Sequence, residues 1–377
     1  MTDRIEEQST GPVDVRRIEL PALKDIYVHA GWESARSAVA PRSSGAADEL
    51  PGHAVVARHP GASAQQLEQY RLLFGGEPFD GVHRRGLPSV LAHILAFPVQ
   101  MGLLAEEAFP LPLMGMVHLS NAVEHRRRVT VDEPVQIKAW TEGLRPHRRG
   151  TQFDAVVEVL ADAADVGRPA ESEVLWRGVS TYLSRGAHLA GRPGDGEPER
   201  QPESSEREEF IPPAKTGQWR LGADMGRRYA AVSGDWNPIH ISSVSARMLG
   251  MPRAIVHGMY AAGRMLEGRE PDDAGHRWRI TFEAPMRLPC TVAFHAERRA
   301  SMPPQVRLWR PSPDGIRARG ADTSPESSPV LPDPQPAGTQ TPAGPVETST
   351  GPGRCRPCVG RPPRRERGHL VRVLDTA

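Results

Sequence analysis

At 377 residues the chain has room for two or three domains, and its 47 basic against 46 acidic side chains give a formal net charge of +1. That balance supplies no electrostatic footprint for nucleic acid, and the basic clusters Arg126-Arg127-Arg128 and 362–367 have acidic neighbours, as solvated faces do. No apolar run nears the roughly 20 residues that a membrane span needs, and the opening M-T-D-R-I-E-E-Q-S-T-G has no apolar secretory core.

Three cysteines are too few for a disulfide framework, so a reduced, cytoplasmic setting is expected. Cys290 falls in a strand-like segment and reads as a small core residue. Cys355 and Cys358 form a C-x-x-C without strand–helix context or a second ligand pair, which argues against zinc or redox chemistry there.

Residues 1–60 show little periodicity, and 38–53 read as an irregular loop. From 63 to 74, Leu67, Tyr70, Leu73 and Phe74 fall at helical spacing behind a candidate N-cap, Ser63. Residues 88–104 are apolar almost all round, as in a helix wrapped on several sides. Pro98 in its middle predicts a kink or break, and His93 within it reads as a core histidine. The period then changes. Segments 116–122, 134–142, 151–160 and 173–183 are rich in Val, Ile, Thr, Trp and Tyr and partly alternate, as strands of an antiparallel sheet do. Residues 186–215 are charged, rich in Gly, Pro and Ser, and read as a linker.

A helix over 225–232 leads into the loop S-G-D-W-N-P-I-H, in which Asp235 and His240 stand five residues apart, punctuated by Gly234 and Pro238. A short helix over 244–249, a turn at Gly250-Met251-Pro252 and a second helix over 257–266 follow, the last containing Ala261, Ala262 and Gly263 for close packing against a sheet. An acid and an imidazole beside a helix N-terminus can activate a water, and free amides of the first helical turn can hold a developing oxyanion. An isolated Asp and His in a loop are more often a turn residue and a surface residue. Here, however, Gly, Asp, Asn, Pro and His all hold fixed spacings ahead of I-V-H-G-M.

That string closely resembles the hydratase signature of the MaoC-like dehydratases, (R)-specific enoyl-thioester hydratases of the hotdog fold. The first half resembles the N-terminal hotdog of the two-domain members through L-A-H-I-L-A-F-P-V-Q-M and M-G-M-V-H-L-S-N-A-V-E-H-R-R, but lacks the D-x-N-P-x-H string. The resemblance implies an α+β double hotdog, two antiparallel sheets each wrapping a central helix. On this reading residues 1–185 form a degenerate hotdog that shapes the acyl pocket, and 216–300 form the catalytic one. It implies reversible hydration of trans-2-enoyl thioesters to (3R)-3-hydroxyacyl thioesters in fatty-acid metabolism. Asp235 and His240 are then catalytic, with the Gly258 amide on the thioester oxygen. Asn237 is either an orienting amide or a turn residue, and His257 beside Gly258 is either a further substrate-side residue or, the commoner case, a side chain that packs or hydrogen-bonds locally.

The expected partner is an acyl group carried on coenzyme A or acyl carrier protein, with no nucleic acid. Assembly as a homodimer or a pseudo-dimer of two hotdogs, within a fatty-acid synthase or apart from one, is also implied. No cofactor is expected: there is neither a G-x-G-x-x-G at a strand–helix junction nor a P-loop, and the histidines lack partners at metal-ligand spacing along the chain.

Segments 278–285 and 290–296 alternate as strands. Residues 301–377 read as a low-complexity, disordered tail: the last 77 residues hold 15 of the 38 prolines, a composition that cannot bury a core. Within it, a hairpin from Val306–Trp309 turning at Pro313-Asp314-Gly315 and an isolated edge strand over 369–374 are the expected exceptions. Such a run is either a natural extension or the translation of a shifted frame in GC-rich DNA, and in both cases closure of the second sheet is in question. A non-catalytic acyl-thioester-binding or scaffold subunit is therefore the competing expectation.

Overall fold

The computed structural model describes residues 14–29, 49–75, 85–162, 173–188, 212–270, 275–299, 302–309 and 371–374. Contacts gather 1–311 with 368–377 into one compact unit; the second unit, 312–367, lies outside the described residues, as do most of the expected linker, the turn at 313–315 and the C-x-x-C.

The first half runs β1 (Asp14–Arg17), α1 (23–29), β2 (His53–His59), α2 (Ala64–Phe74), α3 (Ser89–Leu104), β3 (Met116–His125), β4 (Val135–His147), β5 (Gly150–Ala161) and β6 (Val174–Arg185). The second runs β7 (Gly217–Leu221), α4 (Met225–Ser233), α5 (Pro238–Ile241), α6 (Ser243–Met248), α7 (Gly258–Leu266), β8 (His276–Phe282), β9 (Cys290–Arg299), β10 (Met302–Trp309) and β11 (Val371–Leu374).

All eleven strands form one sheet in the order β1-β2-β4-β5-β6-β3-β8-β11-β10-β9-β7. Apart from β1, which adds in parallel to β2, each half repeats one pattern. Numbered within its half, the strand order is 1-3-4-5-2 in β2-β4-β5-β6-β3 and again in β7-β9-β10-β11-β8. The duplication is thus visible in topology where no sequence repeat shows it. The halves join where β3 and β8 pair antiparallel, from Ser120 opposite Thr281 to His125 opposite His276.

Strand β11 corrects the reading of the C-terminal stretch. It is not an isolated edge strand: it pairs with β8 on one side and β10 on the other, and β10 in turn pairs with β9. The second sheet is therefore closed by strands drawn from a stretch whose composition argued against structure. Alternation in V-R-V-L and in Q-V-R-L-W is enough for a strand once two neighbours offer a ladder.

The central helices carry the core. In α3, 13 of 16 residues are buried, and of the kink or break expected at Pro98 the break does not occur: the helix runs from Ser89 to Leu104 as one element. An interior proline costs about 3 kcal/mol, whereas each fully buried large aliphatic side chain returns roughly 1.5–3 kcal/mol. With Val90, Leu91, Ile94, Leu95, Val99 and Leu103 all buried, packing outweighs the lost hydrogen bond. Helix α2 starts where Ser63 Oγ accepts from Gln66 N (3.1 Å) and stops at Gly75 in the left-handed region (φ 76°). It lies on α7: Phe74 stacks on Tyr260 at 5.3 Å between centroids. A side chain at Gly263 would stand 2.7 Å from the Phe74 ring, so this glycine serves the α2–α7 contact rather than contact with a sheet.

Candidate active site

The D-x-N-P-x-H loop is fixed by local chemistry before any long-range contact. Helix α4 ends at Gly234, whose φ of 73° makes the left-handed stop that reverses the chain. Ser233 Oγ accepts from Asp235 N (3.2 Å), and Asp235 Oδ1 accepts from Asn237 N (3.2 Å). Asn237 is then the N-cap of α5, its Oδ1 accepting from Ile239 N (3.2 Å), with Pro238 in the first helical turn where its missing N–H costs nothing. Asn237 is thus a capping residue in this structure. Helix α5 lies tightly against α4: a side chain on Gly226 would come 1.8 Å from the His240 carbonyl oxygen.

These turns bring three of the named residues together. One donor atom each from Asp235, His240 and His257 lie within 4.8 Å of one another. The imidazoles of His240 and His257 stack at 3.7 Å between centroids. His240 Nδ1 donates to the Ile255 carbonyl (2.9 Å), so Nε2 is the bare nitrogen. His257 Nε2 donates to the Asp235 carbonyl (3.0 Å), leaving its Nδ1 buried without a hydrogen-bond partner. Its side chain therefore holds the loop from below. Gly258 is the first residue of α7, whose first intrahelical bonds begin at the Tyr260 and Ala261 amides. A side chain on Gly258 would stand 2.9 Å from the Phe282 ring. Tyr229 is buried and packs at 4.7 Å against His257.

The first half contributes a residue that sequence reading missed. Tyr27, on α1, donates its hydroxyl to Asp235 Oδ1 at 2.5 Å across 208 positions of sequence. Its only sequence signal is that Leu23, Ile26 and Tyr27 can share a helix face; nothing local ties it to Asp235. Around it, Gln100 donates to the Tyr182 hydroxyl (2.8 Å). His118 stacks on Tyr182 (4.6 Å) and meets Phe282 (5.0 Å). His93 sits 3.5 Å from the Asn121 amide, a core histidine as expected.

Burial governs the titration of this cluster. It would push the Asp235 carboxyl up, but His257, His240, the Tyr27 hydroxyl and the Asn237 amide outweigh it, and the group lies below its usual value. Desolvation lowers His240, against the pull of the Asp235 carboxylate and the Ile255 carbonyl. Burial with the neighbouring His240 takes His257 down to about 3. Burial likewise lowers His93 to about 4, and burial with His93 lowers His118 to about 3. At neutral pH the arrangement is one carboxylate among neutral imidazoles.

An open cleft of about 410 Å³ adjoins the loop, lined among others by Leu23, Ile94, Leu95, Pro98, Ser233 and Trp236. No described helix is long and apolar enough to cross a membrane. The spacing argument against metal ligands holds along the chain but not in space. Two groups of His and carboxylate converge among the described residues, Asp235/His240/His257 and His125/Glu270/His276. In the first, Asp235 Oδ1, His240 Nδ1 and His257 Nε2 have protein partners, while His240 Nε2 is bare and His257 Nδ1 has none.

A doubled hotdog with an Asp–His loop at the N-terminus of its second central helix defines the hotdog-fold dehydratases as a class. Residues 201–302 match the family model of the MaoC like domain. The chain is 34% identical over 212 residues to the 3-hydroxyacyl-thioester dehydratase X of Mycobacterium tuberculosis, which is 55% of this chain and 69% of that protein. The crystal structure of HtdX from M. tuberculosis superposes with a TM-score of 0.53 at 26% identity, over 68% of this chain and 93% of that one. A MaoC-like dehydratase from Phytophthora capsici, at 15% identity and a TM-score of 0.51 over 72% and 93%, shares the fold. The chain belongs to the MaoC-like dehydratase family.

Proposed function

We propose that the protein is a hydro-lyase that adds water reversibly to trans-2-enoyl thioesters, giving (3R)-3-hydroxyacyl thioesters in fatty-acid metabolism. The observation that carries this reading is the convergence of the Asp235 carboxylate and the His240 imidazole, one ligand atom of each lying within 4.8 Å, a span that one water can bridge with two hydrogen bonds of about 2.8 Å. In hydration the water oxygen bonds to C3, one water proton goes to the dyad, and a proton is delivered to C2 as the C2–C3 double bond becomes single. Negative charge builds on the thioester oxygen meanwhile, and the Gly258 amide at the N-terminus of α7 is the donor assigned to it. Glycine there lets the carbonyl approach the backbone where Phe282 already crowds the position.

Asp235 accepts from Tyr27 and the Asn237 amide through Oδ1, and Oδ2 is assigned to the water. His257 and Asn237 hold the loop rather than the substrate, the local one of the two roles that the sequence reading left open for each. The cleft beside Trp236 and Pro98 is assigned to the acyl group, with the first hotdog furnishing its α1 and α3 walls. A binding subunit with an unfinished second hotdog is less well supported, because β10 and β11 fill the sheet.

The test is loss of the conjugated-thioester absorbance on adding the protein to a short trans-2-enoyl-CoA, with acyl-carrier-protein and longer thioesters as further arms. Wild-type turnover, reduced about 10²- to 10⁴-fold in Asp235→Asn, is the expected result. A folded wild type inert toward every carrier and length, or a fully active Asp235→Asn, would sink the proposal.

A further inference from the structure

The second convergent group lies away from the dyad, at the far end of the β3–β8 seam. His125 closes β3 and His276 opens β8, directly opposite each other in the antiparallel register. Side chains so placed stand side by side, and the two rings lie 4.8 Å apart between centroids. Glu270, four residues beyond the end of α7, completes the group: its oxygens accept from Ser89 N at the start of α3 (2.9 and 3.1 Å), and Oε2 lies 3.8 Å from His276 Nε2. One donor atom from each of the three is within 4.8 Å of the other two.

The second observation concerns satisfaction. His125 is 1% and His276 8% exposed, and all four of their ring nitrogens are buried without a hydrogen-bond partner. A buried polar group left unmet costs about 1–3 kcal/mol, so four nitrogens in one spot call for an occupant. Two imidazole lone pairs converging with a carboxylate form the donor set of a borderline transition-metal cation.

We propose that His125, His276 and Glu270 bind a divalent transition-metal cation of the zinc type, which clamps the two hotdogs across their seam. The ligands come from β3 in the first half, and from β8 and the segment after α7 in the second, so the ion's role is structural. Tetrahedral coordination at bond lengths near 2.1 Å brings donors to about 3.4 Å from one another, so the side chains close by about an ångström on binding. No side-chain hydrogen bond holds either ring against that movement; the Arg127 backbone faces His125.

Arg128 stands close enough to repel a cation and Glu267 close enough to attract one, which points to a moderate affinity.

The experiment uses untagged, chelator-stripped full-length protein titrated with Co²⁺, read by visible d–d bands, and with Zn²⁺, read by calorimetry and thermal melting. One equivalent per chain and a raised Tm are expected, with affinity at least tenfold weaker in both His276→Gln and Glu270→Gln but unchanged in His240→Gln. Should His276→Gln fail to fold, the near-isosteric Glu270→Gln carries the test, its fold checked by circular dichroism. Absence of binding, binding that survives Glu270→Gln, or binding lost in His240→Gln would each overturn the proposal, the last by placing the ion at the dyad.

Discussion

Tyr27 is the residue whose role is most exposed to test. Its hydroxyl donates to a buried carboxylate, a bond of the kind worth about 1.5–3 kcal/mol, and that bond is one of the causes holding Asp235 below its usual value. The dyad works with Asp235 ionised and His240 neutral, and both conditions fail as pH falls. Because burial lowers His240, the acid limb of wild-type kcat is expected below the ordinary histidine value near 6.5. Tyr27→Phe removes the donor that holds the Asp235 carboxylate in place, so kcat should drop about 10- to 100-fold, the loss of one such bond; the Asp235 pKa rises as well, and the acid limb should move upward. A pH–rate profile displaced downward or left in place would leave Tyr27 as packing alone. The convergence of Asp235, His240 and His257 near Gly258 could be anticipated because one run of 24 positions, from the loop to the start of α7, holds all four. Tyr27, Tyr182 and His118 could not be, since each reaches the site from another element and no local spacing records the encounter.

At the scale of elements, the α4–α5 corner depends on one missing side chain. In a helix interior alanine is favoured over glycine by about 1 kcal/mol, so Gly226→Ala on α4 would ordinarily stabilise. Here the added carbon would stand 1.8 Å from the His240 carbonyl, and α5 must move and take His240 with it. Net destabilisation of about 1–3 kcal/mol is expected in urea melts, with activity lost beyond what the stability change accounts for; a stabilised, active variant would contradict this packing. Sequence reading did well for α2, α3, α4 and α7 and for β3 to β6, where period and caps are local. It left open whether Pro98 would kink or break α3, and the helix is continuous because packing on all sides, a tertiary fact, decides between them. It also missed β2 and β7 and misplaced β11, because short strands take their identity from the partners that flank them.

For the whole molecule, the repeated strand order makes a further prediction. The β5–β6 connection occupies 162–173, and its counterpart between β10 and β11 occupies 310–370, so the long Pro-rich segment is an insertion at a hairpin. Since β10 and β11 pair antiparallel, with Leu308 opposite Val371, a five-residue turn can join them. Replacing 310–370 in this way shortens the closure from 61 residues to five and should add about 2 kcal/mol of stability by loop entropy. Dehydratase activity should persist, and a variant that no longer folds would show that the segment does more than connect. The β3–β8 pairing has a different kind of consequence. A site assembled from separate hotdog subunits dissolves when its subunits dissociate, whereas here α1 and the D-x-N-P-x-H loop are tethered in one chain at an effective concentration that dilution cannot lower. The covalent join also lets the two halves differ: the D-x-N-P-x-H loop stands in the second alone, and the first sends Tyr27 across to its Asp235.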